Sequence, residues 1–209
     1  RTRVVLLESP ASLTFEMIDV AAVAAGCRAR GVVTVLDNTW GAGLAFKPLA
    51  HGVDVSVQAL TKYASGHSDL LMGGVAVADA RHARVVDDTI EDLGWHVSPD
   101  DAWLALRGLR TLPLRYGEQA RSALSVAEWL QSRPEVSRVL YPPLPGAVGH
   151  DLWPRLLRVD ARLDGRGPHL AERVAAAEQA RRRPVEDRPE LGEVVLHRRA
   201  GQRAAGVEP

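Results

Sequence analysis

The sequence predicts an α/β fold on a largely parallel sheet, and three observations predict it. Short apolar or β-branched runs recur through the first 80 residues. A helix-period segment separates the first two, and polar, turn-rich residues follow directly on the runs. In such sheets chemistry collects at the carboxyl ends of strands.

Taken in order, Val4-Val5-Leu6-Leu7 reads as a buried strand stopped at Glu8-Ser9-Pro10. Residues 16–30 carry Met17, Val20, Ala21 and Ala24 at helical spacing, with Gly31 as the stop. Residues 32–36 form a β-branched run leading into Asp37-Asn38-Thr39, and residues 53–57 form another, shortly before Thr61-Lys62-Tyr63. Residues 73–78 make a fourth strand. Helices are expected at 79–93, at 99–112 behind Ser98 as N-cap, and at 113–132. A strand at 136–140 and a Pro/Gly-rich loop at 141–149 follow, then a helix at 169–183 and a strand at 194–197.

The 209 residues suffice for a well-buried core. Lys plus Arg equals Asp plus Glu, 26 against 26, which argues against a nucleic-acid surface or a polybasic membrane surface. No apolar run reaches membrane-span length, and no charged-then-apolar leader is visible, so a cytoplasmic location is expected. Cys27, the one cysteine, excludes an intrachain disulfide framework and reads as a small packed residue. The seven histidines show no metal-ligand spacing.

Two residues stand out chemically. Only Lys47 and Lys62 are lysines in a chain with 26 cationic side chains. Lys62 lies just past a strand run and ahead of the polar stretch Ala64-Ser65-Gly66-His67-Ser68-Asp69, where a site loop belongs. It reads either as a solvated surface lysine or as a nucleophilic amine. Asp37, at another strand end, needs a partner if buried. That partner is an arginine or a helix N-terminus in one reading, and the protonated ring nitrogen of pyridoxal phosphate (PLP) in the other. Spacing alone leaves both open. Two decoys fail: Gly41-Ala42-Gly43 lacks the third glycine of a dinucleotide loop, where Phe46 stands, and Gly66-His67-Ser68-Asp69-Leu70 lacks the second glycine of a nucleophile elbow.

Leu7-Glu8-Ser9-Pro10, Leu36-Asp37-Asn38-Thr39-Trp40, Phe46-Lys47-Pro48-Leu49, His51-Gly52-Val53-Asp54-Val55-Ser56, Thr61-Lys62-Tyr63 and Gly66-His67-Ser68-Asp69 follow in one order. Arg107-Gly108-Leu109-Arg110-Thr111-Leu112 and Gly149-His150-Asp151 come later. From Val4 to about Arg155 this resembles the Cys/Met-metabolism family of PLP-dependent enzymes, nearest its bacterial cystathionine β-lyase branch. Ala59, three before the lysine, stands where the γ-enzymes usually carry a phosphate-binding serine, and Ser12 lies near where many relatives have an asparagine reaching the cofactor's phenolic oxygen.

The resemblance implies the latter half of a PLP-dependent transferase type I (aspartate aminotransferase-like) large domain at residues 1–112. A connector and the start of an incomplete C-terminal α/β domain at 113–155 would follow. It implies PLP as cofactor, Lys62 as the lysine that carries it and moves the Cα proton, Asp37 on the pyridinium nitrogen, and Thr61 as a phosphate contact. The activity implied is β-elimination of cystathionine to homocysteine, pyruvate and ammonia; the alternatives are a γ-synthase or γ-lyase, or a catalytically inactive remnant. The implied substrate is a small amino acid and the implied assembly a homotetramer, with no nucleic-acid or membrane partner. In the family, a stretch before the equivalent of Val4 supplies a phosphate loop and a ring-stacking tyrosine, so the chain reads as a fragment that binds the cofactor weakly. The resemblance is not expected to extend over residues 156–209, and their arginine-rich, aromatic-free text is what a shifted reading frame in GC-rich DNA would give.

Overall fold

The computed structural model describes residues 1–156 and 194–197. Five strands form one sheet in the order β1 (Val4–Glu8), β2 (Val33–Asp37), β3 (Val55–Ala59), β4 (Gly73–Val77) and β5 (Val194–His197). The pairs β1/β2 and β2/β3 are parallel; β3/β4 and β4/β5 are antiparallel. The expectation of a largely parallel sheet therefore holds for only half of the pairings. Connectivity supplies the reason: parallel neighbours need a crossover. The helix α1 (Val20–Arg28) provides one between β1 and β2. Residues 60–72 instead fold back at the end of β3, so β4 returns antiparallel beside it.

Alternation along β2 sorts the two faces of the sheet. Leu36 is fully buried in a cluster with Val20 and Ala24 of α1, joined by Phe46 and Val53. Val33 and Val35 pack instead with Val55, Val77 and Ala83, the last from α2 (Ala80–Asp92). The two helices thus cover opposite faces. The helix α3 (Pro99–Leu109) sends Ala105 into a third cluster with Leu60, Ala64, Leu70 and Met72. Leu112 and Tyr116 of α4 (Leu112–Gln131) join the α1 cluster. A short helix α5 (Trp153–Leu156) ends the first described segment.

Two sequence expectations differ from this architecture. The first helix starts at Val20 rather than residue 16, because the Asp19 carboxylate accepts the Ala22 amide at 3.0 Å and caps it there. Leu13 and Phe15 just before it hold left-handed backbone, which no helix tolerates. Residues 136–140 form no strand: no other strand pairs with them among the described residues, and a run that makes no ladder stays irregular. The strand expected at 194–197 forms and pairs with β4, while the helix expected at 169–183 lies outside the described residues.

Candidate active site

Register brings the strand ends together. Glu8, the last residue of β1, pairs with Asp37, the last of β2, and Asp37 pairs with Val57 of β3. Because β4 is antiparallel, its first residue, Gly73, lies opposite Ala59 at the end of β3. One edge of the sheet therefore gathers three carboxyl ends and the turn that carries Lys62. A cleft of about 480 Å³ opens there, lined by Glu8, Ser12, Asp37, Thr39, Trp40, Thr61, Lys62, Tyr63, Ser68 and Arg115, among others. All three sequence-expected site residues, Asp37, Thr61 and Lys62, line this one cleft. The other lysine, Lys47, lines a separate cavity of about 760 Å³ beside Asn38, Gln58 and the start of α2.

Asp37 is half-buried, and its Oδ1 accepts the Thr39 amide at 2.9 Å. The Thr39 hydroxyl in turn accepts the Ala59 amide at 2.8 Å, which fastens the Asp37 turn to the end of β3. No arginine pairs with Asp37 among the described residues, and the amide it holds belongs to a turn, not a helix. Its Oδ2 has no hydrogen-bond partner among them. A half-buried carboxylate with one oxygen tied and the other uncommitted is pre-oriented to accept from a cationic N–H.

Lys62 is exposed to the cleft on a turn whose backbone is almost fully committed. The Lys62 amide donates to Ala59 O at 3.0 Å, Ser65 N to Leu60 O at 2.9 Å, and Gly66 N to Lys62 O at 3.0 Å. The Ser65 hydroxyl donates to Thr61 O at 3.1 Å. His67 Nδ1 lies 2.5 Å from Ser65 O, which requires the Nδ1–H tautomer. The Thr61 hydroxyl accepts Met72 N at 3.0 Å and donates to Met72 O at 3.3 Å. Its proton therefore points at the β4 side of the turn and must turn away from Met72 O before Thr61 can donate to an anion.

Aromatic groups wall the site. Trp40 meets Phe15 edge to face at 5.0 Å, and its carbonyl accepts the Tyr116 hydroxyl at 2.8 Å. Tyr63 and Tyr116 lie 5.1 Å apart, and burial pushes both phenols above their ordinary pKa. The Ser12 hydroxyl donates to the Glu8 carboxylate at 2.6 Å in the same cleft. Two quoted stretches also meet here: Asp69 pairs with Arg107, and Gly108 of α3 rests on the lysine turn. Sequence reasoning did not single out Thr39, Glu8 or Arg115 for a role. Thr39 and Glu8 stood inside quoted stretches; Arg115 carried no signal among so many arginines.

This constellation, lysine and carboxylate at neighbouring strand ends, coincides with what the comparisons return. The model of the Cys/Met metabolism PLP-dependent enzyme family matches residues 1–162, past the end near Arg155 that the sequence resemblance implied. The chain belongs to that family. A cystathionine beta-lyase of Bordetella avium is 49% identical over 154 residues, 74% of this chain and 39% of that protein. Cystathionine beta-lyase of Escherichia coli K12 is 46% identical over 156 residues, again 74% and 39%. Among solved structures, cystathionine gamma synthase from Xanthomonas oryzae pv. oryzae superposes with a TM-score of 0.71 at 36% identity, covering 75% of this chain and 40% of that one. The chain thus spans about two fifths of the length of the relatives it matches. The fold is that of these PLP-dependent enzymes, as the sequence resemblance implied.

The family's cofactor is PLP, and the donor set of the cleft fits its reactive half. An amine exposed to the cleft suits an aldehyde, and an uncommitted carboxylate oxygen suits a pyridinium N–H. Among the described residues no three metal-ligating side chains cluster, and no helix is long and apolar enough to cross a membrane.

Proposed function

We propose that this chain carries the lysine side of a PLP site in a carbon–sulfur lyase that cleaves cystathionine to homocysteine, pyruvate and ammonia. Supporting this reading is one observation above the rest: Lys62 and Asp37 come from different strand ends to line one cleft, with Asp37 Oδ2 uncommitted. Lys62 Nζ would hold the cofactor, Asp37 would accept from its ring N–H, and Thr61, which lines the same cleft, would contact its phosphate. Bound there, PLP supplies an electron sink for the pair left when a Cα–H bond breaks. Once the substrate amine has displaced it, Lys62 Nζ would be free to take the Cα proton, the Cβ–S bond would break, and the sulfur would depart as the thiol of homocysteine on taking up a proton. The three-carbon remainder adds water and yields pyruvate and ammonia.

The β-lyase branch is favoured by relatives named cystathionine beta-lyase, which span 32–49% identity with several at 43% or more, against 36% for the gamma synthase structure. Residues 1–112 then form part of a cofactor domain and 113–155 lead into a second one. A cytoplasmic location and a homotetrameric assembly complete the reading.

The chain's second lysine makes the test internal. Borohydride reduction in the presence of PLP, followed by peptide mapping, is expected to mark Lys62 about tenfold or more over Lys47, a preference of about 1.4 kcal/mol. Asp37→Ala is expected to lower pyruvate release from cystathionine on the order of 10²-fold. Equal marking of the two lysines overturns the site; selective marking without pyruvate release favours the inactive remnant.

A further inference from the structure

Resting on that reading of the cleft, we infer that Arg115 is the positioning residue for Lys62, a clamp from α4 that holds the lysine turn by its carbonyls. The guanidinium makes four hydrogen bonds. Nη1 donates to Tyr63 O at 2.8 Å, and Nη2 donates to Ala64 O at 3.3 Å and to Gly108 O at 2.8 Å. Nε donates to the Thr111 hydroxyl at 3.0 Å. Two of these acceptors lie on the turn immediately after Lys62, and two on the junction between α3 and α4.

The turn's other carbonyls do not need Arg115. Those of Ala59, Leu60, Thr61, Lys62 and Ser65 are taken by the turn's own amides, a serine hydroxyl and a histidine ring. Only Tyr63 O and Ala64 O look to α4, and Ala64 is buried. A buried carbonyl without a donor is costly, so the turn keeps this shape only while the guanidinium is present.

Two glycines leave room for the clamp. Gly66 holds φ +68°, and a Cβ there would stand 2.0 Å from Arg115 Nη1. A Cβ on Gly108 would stand 2.3 Å from both Ala64 O and Ser65 O, so α3 touches the turn backbone directly. Although Arg115 lines the cleft, one Nη1 hydrogen alone stays uncommitted among the described residues, so its fork is closed to a bidentate carboxylate. Desolvation by burial draws its pKa down from the ordinary guanidinium value. Lysine cannot replace it, because one ammonium cannot span four acceptors in a plane.

The test compares the full chain with Arg115→Lys and with the milder Thr111→Val, which removes the Nε acceptor together with the 3.3 Å bond from the Thr111 hydroxyl to Gly108 O. Hydrogen exchange followed by mass spectrometry is read at residues 61–66 and at β1 and β2, beside borohydride marking of Lys62 against Lys47 in the presence of PLP. Arg115→Lys is expected to speed exchange at 61–66 on the order of tenfold, leave β1 and β2 unchanged, and cut the Lys62 preference several-fold. Thr111→Val is expected to do the same to a smaller degree, and it decides the matter if Arg115→Lys does not fold. Exchange that rises evenly across the sheet, or a Lys62 preference that survives a loosened turn, overturns the proposal. If Lys62 is not preferred even in the unaltered chain, the cofactor reading fails, and exchange at 61–66 alone still decides whether Arg115 is the clamp.

Discussion

Two aspartates toward opposite ends of β2 show how a structural carboxylate differs from one available for chemistry. Asp54 Oδ2 accepts both the amide and the hydroxyl of fully buried Thr34, each at 2.8 Å, and that hydroxyl accepts the Asp54 amide at 3.1 Å. The pair stitches β2 to the entry of β3 and leaves little for a ligand. Asp37 spends one oxygen on a local turn and leaves the other to the cleft. Asp54→Ala is therefore expected to cost about 2–3 kcal/mol of stability in denaturant unfolding, as two bonds to a charged group are lost at a buried partner. Asp37→Ala is expected to cost about 1 kcal/mol or less while removing the chemistry. At this scale Lys62 and Asp37 were legible because each follows a strand run and sits in a stretch resembling a known family. Arg115 was not legible: its acceptors lie up to 52 residues away in the chain, and only folding brings them to it.

At the scale of elements, local chemistry marked what local chemistry decides. The strands β1 to β4 follow apolar runs, and α3 follows its cap, where the Ser98 hydroxyl accepts the Asp101 amide at 3.0 Å with Pro99 behind it. Strand direction is set by the connection rather than by periodicity, so the return of β4 was hidden. The same holds for 136–140, which pair with no strand among the described residues. Because α3 carries Gly108 against the lysine turn, its cap matters beyond its own helix. Ser98→Ala is expected to lower stability by about 1 kcal/mol, measured by denaturant unfolding. It is also expected to quicken exchange at 61–66, since fraying of the first turn of α3 loosens the packing of Ala105 against Leu60 and Ala64.

Across the whole molecule, the three tyrosines sit on three separate parts, of which the lysine turn and α4 line the cleft. Tyr63 sits on the lysine turn, Tyr116 on α4, and Tyr141 on the loop after residues 136–140. Burial raises all three phenols, and mutual repulsion between their ionised forms raises Tyr116 and Tyr141 further. Each therefore ionises at a higher pH in the folded chain than in the unfolded chain, which ionises near pH 10. Linkage gives the sign: below pH 10 both states hold the same protons, and the tyrosines' contribution is present in full. Above it the unfolded state sheds protons that the folded state keeps, so stability falls as pH climbs toward the raised folded values. For Tyr116, 5% exposed, the loss is about 1.4 kcal/mol per pH unit. Tyr116→Phe removes that slope and also the bond to Trp40 O, costing about 1 kcal/mol at neutral pH. Unfolding free energies of the two proteins are thus expected to converge above pH 10, with tyrosinate absorbance in the unaltered chain rising together with unfolding rather than before it. Tyrosinate that appears near pH 10 while the fold persists would show that the cleft wall is open to water and that the lysine turn, α4 and the following loop do not close around these phenols.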